Sequence, residues 1–193
     1  MRRSGNFLRR DFQHMDTAQP LAFQEDLKKK TAELLRQIDP KYQPYGKDFF
    51  EPLARLIVNI GIEAVFIRYN PGAEKYEILL RKRDESETYP GQWHIPGSLL
   101  RYSEDFDAVF DRILKEECAE MEVSSYRFIG LNNNTDEARG HVVQIVYRCD
   151  VEYNGKSEVG LCSWFSSDDL PEPIVDHHLE IVIPMVIRSI GSR

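Results

Sequence analysis

Cysteine is scarce in this chain. Cys118, Cys149 and Cys162 are the only three, an odd number, and no two have CxxC spacing. That argues against a disulfide framework and against a zinc site, and it points to a reducing compartment. Long hydrophobic runs are also missing. No stretch of about 18 apolar residues occurs, so no membrane-spanning helix is expected. The basic N-terminus (Arg2, Arg3, Arg9, Arg10) lacks the apolar segment of a secretory signal, so the expected home is the cytoplasm. Positive charge is in deficit, with 25 Lys and Arg against 32 Asp and Glu and a formal net charge of -7. A long nucleic acid finds no footing in that balance. An acidic protein still binds a phosphate ester when a divalent metal sits between them.

What is present is enough for a core. The chain has 193 residues, 41% hydrophobic and 30% charged, which suits one globular domain with an extension. Residues 1–19 are polar and aperiodic and read as a flexible tail. Residues 20–52 read as an N-terminal helix and a connector. Leu21, Phe23, Leu27, Leu34, Leu35 and Ile38 recur at helical spacing until Asp39-Pro40 stops them. Such a helix packs on the domain or on a second subunit, so a homodimer is one expectation.

Residues 53–193 read as the main domain. "LIVNIGIEAVFIRY" is a buried strand, "NPG" at Asn70–Gly72 a turn, and "KYEILLRKR" a second strand. "WHIPGSLL" is short and extended. Ser103 fits a helix N-cap, with Asp105 and Asp107 in the first turn of a helix running to Met121. "YRFIGLN", "HVVQIVYRCDV" and "LCSWFS" are further strands. A last helix covers His177 to Ile190, with Pro184 as a possible kink. The order predicts an α/β (α+β) fold, a mixed sheet between helices.

The helix after Ser103 poses a problem. At about 100° per residue, Phe106, Phe110, Ile113, Leu114 and Met121 form one apolar stripe, and Glu117 falls inside it. Glu116 and Glu120 lie on its flank, and Arg112 is placed to pair with Glu116. A carboxylate turned toward a core is costly unless partnered, and clustered carboxylates raise one another's pKa. A hard cation relieves both, since carboxylate oxygens suit Mg²⁺ or Mn²⁺. The competing reading is a solvated helix edge with Glu117 paired to a lysine or arginine.

Residues Gly97 to Glu120 resemble the box of the Nudix hydrolase family, G-x5-E-x7-R-E-U-x-E-E-x-G-U, where U is bulky and aliphatic. Gly97 takes the first glycine, Glu104 the first glutamate, Arg112 the arginine, Leu114 the aliphatic position, and Glu116 and Glu117 the paired glutamates. "LLRKRDESETYPGQWHIPGS" resembles the family's strand, linker and W-x-x-P-G turn. The chain departs from the box in four places. Six residues separate Gly97 from Glu104, Ile113 stands where the family has a glutamate, Ala119 replaces the second glycine, and Glu120 takes the last aliphatic position.

The resemblance implies an α/β/α sandwich and a metal-dependent hydrolase acting on acid anhydrides in phosphorus-containing compounds. Its substrate would be a nucleoside diphosphate linked to a second moiety, X. Carried over by position, Glu116, Glu117 and the Gly97 carbonyl would hold Mg²⁺ or Mn²⁺, with Glu104 and Arg112 bracing them and Glu120 standing in for the missing carboxylate. Glu137, in the loop "NNNTDEARG", would be a candidate general base. "HLEI" at His178 aligns with a segment before the family's last helix. Lacking the glutamate after the box arginine, the chain also resembles the GDP-mannose mannosyl hydrolases. His178 would then be the base for attack at sugar carbon. Arg81 and Arg83 end the second strand on one face and could contact phosphates. Tyr89 and Tyr102 could stack a base. A binding module that has lost catalysis remains an alternative. A transcription regulator is not expected, since no helix-turn-helix follows residue 190.

Overall fold

The computed structural model describes residues 21–41, 46–118 and 121–190. The expected tail at 1–19 and Glu120 lie outside them. The chain forms two compact units, Met1–Tyr42 and Gln43–Arg193. In the first, α1 spans Leu21–Leu35. Its Phe23, Leu27 and Leu34 are exposed. Among the described residues no helix is long and apolar enough to cross a membrane.

The second unit opens with α2, Lys47–Ala54. This helix lies in the segment read from sequence as a connector. An eight-stranded mixed sheet follows, ordered β5-β6-β1-β2-β8-β7. Its strands are β1 Asn59–Asn70, β2 Lys75–Lys82, β3 Trp93–His94, β4 Gly97–Leu99, β5 Ser125–Asn134, β6 Val142–Asp150, β7 Glu158–Val159 and β8 Cys162–Ser166. β1 and β6 are parallel, and the other pairs are antiparallel. Asn70 makes the first turn tight, its Oδ1 accepting from Gly72 N–H at 3.0 Å and Ala73 N–H at 3.2 Å.

Strand alternation divides the core in two. Ile62, Ala64, Phe66 and Leu79 face α3, Phe106–Glu117, and meet its Val109, Phe110 and Ile113. Val65, Ile67, Ile78 and Leu80 face the other way and meet Val182 and Ile183 and Val186 of α4, Ile183–Ile190. The expected α/β/α sandwich is therefore the fold. Two local expectations are corrected. Ser103 sits at φ 59° and is not the cap; Asp105 caps α3, its carboxylate accepting from Ala108 N–H at 2.9 Å. The last helix begins as a π-helical turn, His178–Val182, in which Ile183 N–H reaches back to His178 O. Pro184, next in line, has no N–H to continue ordinary helical bonding.

The sheet forks. β1 and β2 pair only from Ile67–Ile78 to Asn70–Lys75. Below that, β1 pairs with β4 and β2 with β3. Ile95-Pro96 links the two prongs.

Candidate active site

A cavity of about 640 Å³ opens at the fork. Arg81, Arg83 and His94 come from the β2–β3 prong, Glu63 and Gly97 from the β1–β4 prong, and Glu117 from the last turn of α3. Glu137, Arg139, Gln144, His177 and His178 close the wall, and Phe50, Leu53 and Ile57 form an apolar end around α2. α2 is fastened there. Asn59 Nδ2 donates to Ala54 O at 2.9 Å, and Gly140, at φ 125°, lies where a Cβ would come within 2.5 Å of the same oxygen.

Glu117 turns inward, as the apolar stripe implied. Its Oε2 is buried without a partner. Burial pushes its carboxyl up to about 7, and Glu63 and Glu87 add to this against the opposing charges of Arg81 and Arg83. Glu116 is exposed and outside the cavity lining. Ile113 is 1% exposed and packs in the core on α3's sheet side. The expected Arg112–Glu116 pair does not form. Arg112 instead grips Glu104, Nε to Oε1 and Nη2 to Oε2, both at 2.7 Å, and also donates to Ser98 Oγ and Leu99 O. That fork ties the glycine loop to α3, the bracing expected of Glu104 and Arg112. Gly97 has no room for a side chain, since a Cβ would meet Glu63 Oε2 at 2.6 Å and Ile62 O at 2.7 Å.

Glu63 was missed from sequence, although it is the one charge inside the apolar run "NIGIEAVFI". Gln144 Nε2 donates to its Oε1 at 2.7 Å, and His178 Nε2 lies 3.5 Å from its Oε2. Burial works to raise its carboxyl, but its contacts with His178 and His177 and the hydrogen bond from Gln144 outweigh this and hold it below the ordinary value. His178 Nδ1 accepts from Ile95 N–H at 3.0 Å. The proton is therefore on Nε2, facing Glu63, and neither nitrogen has a lone pair to spare. In this arrangement His178 is a strut for Glu63. His177 stands beside it, ring centroids 4.3 Å apart. Burial and His178 press its pKa down to about 4.

Glu137, 7% exposed, accepts from Arg139 Nε at 3.2 Å and from the Tyr89 hydroxyl at 3.3 Å. Tyr89 does not line the cavity as a stacking platform; it latches the Glu137 loop, its hydroxyl also accepting from Ala138 N–H. Tyr102 does line the cavity. Arg81 Nη2 donates to Glu87 Oε1 at 3.0 Å. The Nε groups of Arg81 and Arg83 are buried and unpartnered, as is His94 Nε2. His94 was passed over because sequence placed it in a turn with nothing to mark its neighbours. Among the described residues, Glu63, His177 and His178 are the group close enough to hold a metal. The tautomer of His178 withholds one of those three atoms.

The family model of the NUDIX domain matches residues 62–183. The Nudix domain of Shewanella oneidensis NrtR, complexed with ADP ribose, is similar at TM-score 0.58 and 21% identity, over 83% of this chain and 98% of that one. A MutT/Nudix family protein from Enterococcus faecalis is similar at 0.56 and 17%, over 90% and 76%. A MutT Nudix hydrolase from Burkholderia pseudomallei is similar at 0.53 and 25%, over 67% and 98%. No curated protein matches. These matches do not extend the likeness to the GDP-mannose mannosyl hydrolases. The matched segment contains the forked sheet, the braced glycine loop and the helix that carries Glu117, and on that match the chain belongs to the Nudix family.

Proposed function

We propose that this protein hydrolyses the pyrophosphate bond of a nucleoside diphosphate linked to a second moiety, with the help of Mg²⁺ or Mn²⁺. The observation that carries this reading is the unpartnered Oε2 of Glu117, a buried carboxylate oxygen in the same cavity as two guanidinium groups whose Nε atoms also lack partners. Carboxylate oxygens suit a hard divalent cation, and Glu117 and Glu63 would hold it. When bound, the cation neutralises diphosphate charge and acidifies a coordinated water.

The chain's own residues do the rest. Arg81 and Arg83 take phosphate oxygens through donors that have no other partner. Arg139 holds the Glu137 carboxylate in the cavity wall. Glu137 keeps lone pairs beyond those engaged by Arg139 and Tyr89, and it is the proposed proton acceptor for the attacking water. His178 and Gln144 fix Glu63 from behind. Glu104 and Arg112 keep Gly97 and Glu117 in register. The apolar end at Phe50, Leu53 and Ile57 receives a ring from the nucleoside or from X.

A second reading has specific support. Ile113 is a core residue and Glu116 is exposed, so the box supplies one inward carboxylate where the family pattern has more. A binding module that recognises such ligands without turning them over fits that arrangement. The NrtR Nudix domain, whose structure contains ADP ribose, supplies the fold-level parallel. Attack at sugar carbon has less support, because it needs a free base at His178.

One experiment separates these readings. ADP-ribose, NADH, diadenosine polyphosphates, nucleoside triphosphates and GDP-sugars are incubated with Mg²⁺ or Mn²⁺ and native protein or Glu117→Gln, and the products are resolved by chromatography. Nucleoside monophosphate formed by the native protein and lost in the variant supports hydrolysis at phosphorus. Tight binding without turnover supports the binding module. Release of free sugar would overturn the phosphorus reading.

A further inference from the structure

His94 and His178 have opposite tautomers, and one residue sets both. The two rings lie 6.3 Å apart, and Ile95 sits between them in the chain link of the fork. Ile95 N–H donates to His178 Nδ1 at 3.0 Å. Ile95 C=O lies 2.8 Å from His94 Nδ1. A carbonyl only accepts, so His94 Nδ1 carries the proton and Nε2 is a bare lone pair. His94 is 3% exposed, lines the cavity, and has no hydrogen-bond partner on Nε2. It stays neutral, because burial and the neighbouring charges of Arg83 and Arg81 hold its pKa well below the ordinary histidine value.

A buried acceptor left unpaired costs stability. The ligand that relieves it must bring a hydrogen. A fully ionised diphosphate has none to give, although it satisfies the unpartnered Nε donors of Arg81 and Arg83. A metal ion would need further ligands close to His94 Nε2. The cluster able to hold one among the described residues is Glu63, His177 and His178, and His94 is not part of it. Arg81 and His94 are cross-strand partners on β2 and β3, so their side chains share one face of the sheet and a ligand held by Arg81 lies beside His94.

We propose that His94 is a specificity-determining residue. Its Nε2 accepts a hydrogen bond from a hydroxyl of the group esterified to the diphosphate, so the protein selects sugar-linked diphosphates over diphosphates that lack such a hydroxyl. This rests on the diphosphate-ligand reading of the cavity but not on turnover.

The test compares ADP-ribose with the β-methyl ester of ADP, using the full chain. Calorimetry measures binding, and kcat/KM is measured wherever turnover occurs. The native protein should prefer ADP-ribose, and His94→Leu should cut that preference by about 10- to 100-fold while leaving the methyl ester within about 2-fold. His94→Gln, which keeps an acceptor near the same place, should restore part of it. In ¹⁵N spectra of the native protein, ADP-ribose should shift the unprotonated His94 Nε2 resonance and the methyl ester should not. Thermal unfolding of both variants shows that they are folded. No preference in the native protein, or a preference that survives in His94→Leu, overturns the proposal. If the preference behaves as stated but no ligand is cleaved, this inference stands and the hydrolase reading falls.

Discussion

Two arginine clusters on the same sheet behave oppositely. Arg68, near the closed end of the β1–β2 hairpin, is 4% exposed and fully engaged. Its Nε donates to Glu77 Oε2 at 2.7 Å and its Nη1 to Asn154 at 3.2 Å, and it lies over the Trp164 ring at 4.2 Å. Glu77's other oxygen accepts from Asn70 at 2.7 Å. Arg81 and Arg83, at the forked end, sit among carboxylates and a histidine, yet buried donors and acceptors there remain unmatched. What differs is the pairing of the charged side chains, closed between Arg68 and Glu77 and open at the fork. A closed set of partners holds a hairpin together. An open set costs folding free energy and makes sense where a ligand closes it.

The sharpest way to break this comparison is to exchange one group in each region. Glu117→Gln should lower turnover by about 10³-fold or more, as loss of a metal-holding carboxylate does, with the melting temperature unchanged or raised. Arg68→Ala should do the reverse. It should cost about 3 kcal/mol of stability, because Glu77 is left half-enclosed and uncompensated, while activity per folded molecule stays near native. A denaturant titration beside a turnover assay reads both. Equal loss of stability in the two variants would erase the distinction.

Acidity sharpens it further. In metal-free protein Glu117 holds its proton to about pH 7, against an ordinary value of 4.5. The native state therefore binds the proton more tightly, and Glu117 loses the fold up to about 3 kcal/mol as pH rises from 4.5 through 7. His177, with its pKa near 4, acts in the opposite sense, as does His94. Their contributions are lost as pH falls below 6.5, because the unfolded chain takes up protons that the native state refuses. Across pH 4.5 to 6.5 the two kinds of group oppose each other. Glu117→Gln should steepen the rise of stability with pH in that window and remove the decline between 6.5 and 7. Urea midpoints at half-unit pH steps check this, and an unchanged profile would show that Glu117 ionises normally.

The smallest effect concerns the Glu137 loop. Tyr89→Phe removes one hydrogen bond to Glu137 and one from Ala138. It should lower kcat about 3- to 10-fold, with little change in KM. A change in KM alone would make Tyr89 a contact for ligand instead.

Much of this was legible in the sequence. Period-two and period-3.6 patterns gave the strands and helices, and the misfit of Glu117 in its stripe pointed to the cavity before any geometry was known. The loop-to-helix brace of Glu104 and Arg112 was implied by the family resemblance alone, since helical spacing paired Arg112 with Glu116 instead. What escaped were contacts between distant segments. Nothing in "NIGIEAVFI" says that Glu63 meets Gln144, 81 positions away. Nothing in "WHIPG" says that Ile95 will arrange two histidines at once. Ser103 looked like a cap because serine is a good one, but a left-handed backbone there shifted the start of the helix to Asp105. α2 escaped because Pro52 reads as a stop.

The fork has a consequence for how this molecule tolerates change. In an ordinary sheet, parting two central strands strands their amides and carbonyls. Here β3 and β4 take up those bonds, so the gap is framed by backbone already at rest. Side chains at 63, 81, 83 and 94 can then be exchanged without asking the sheet to re-form. Fold and ligand choice are thereby written in separate alphabets, one in the main chain of the prongs and one in the few side chains that lean between them.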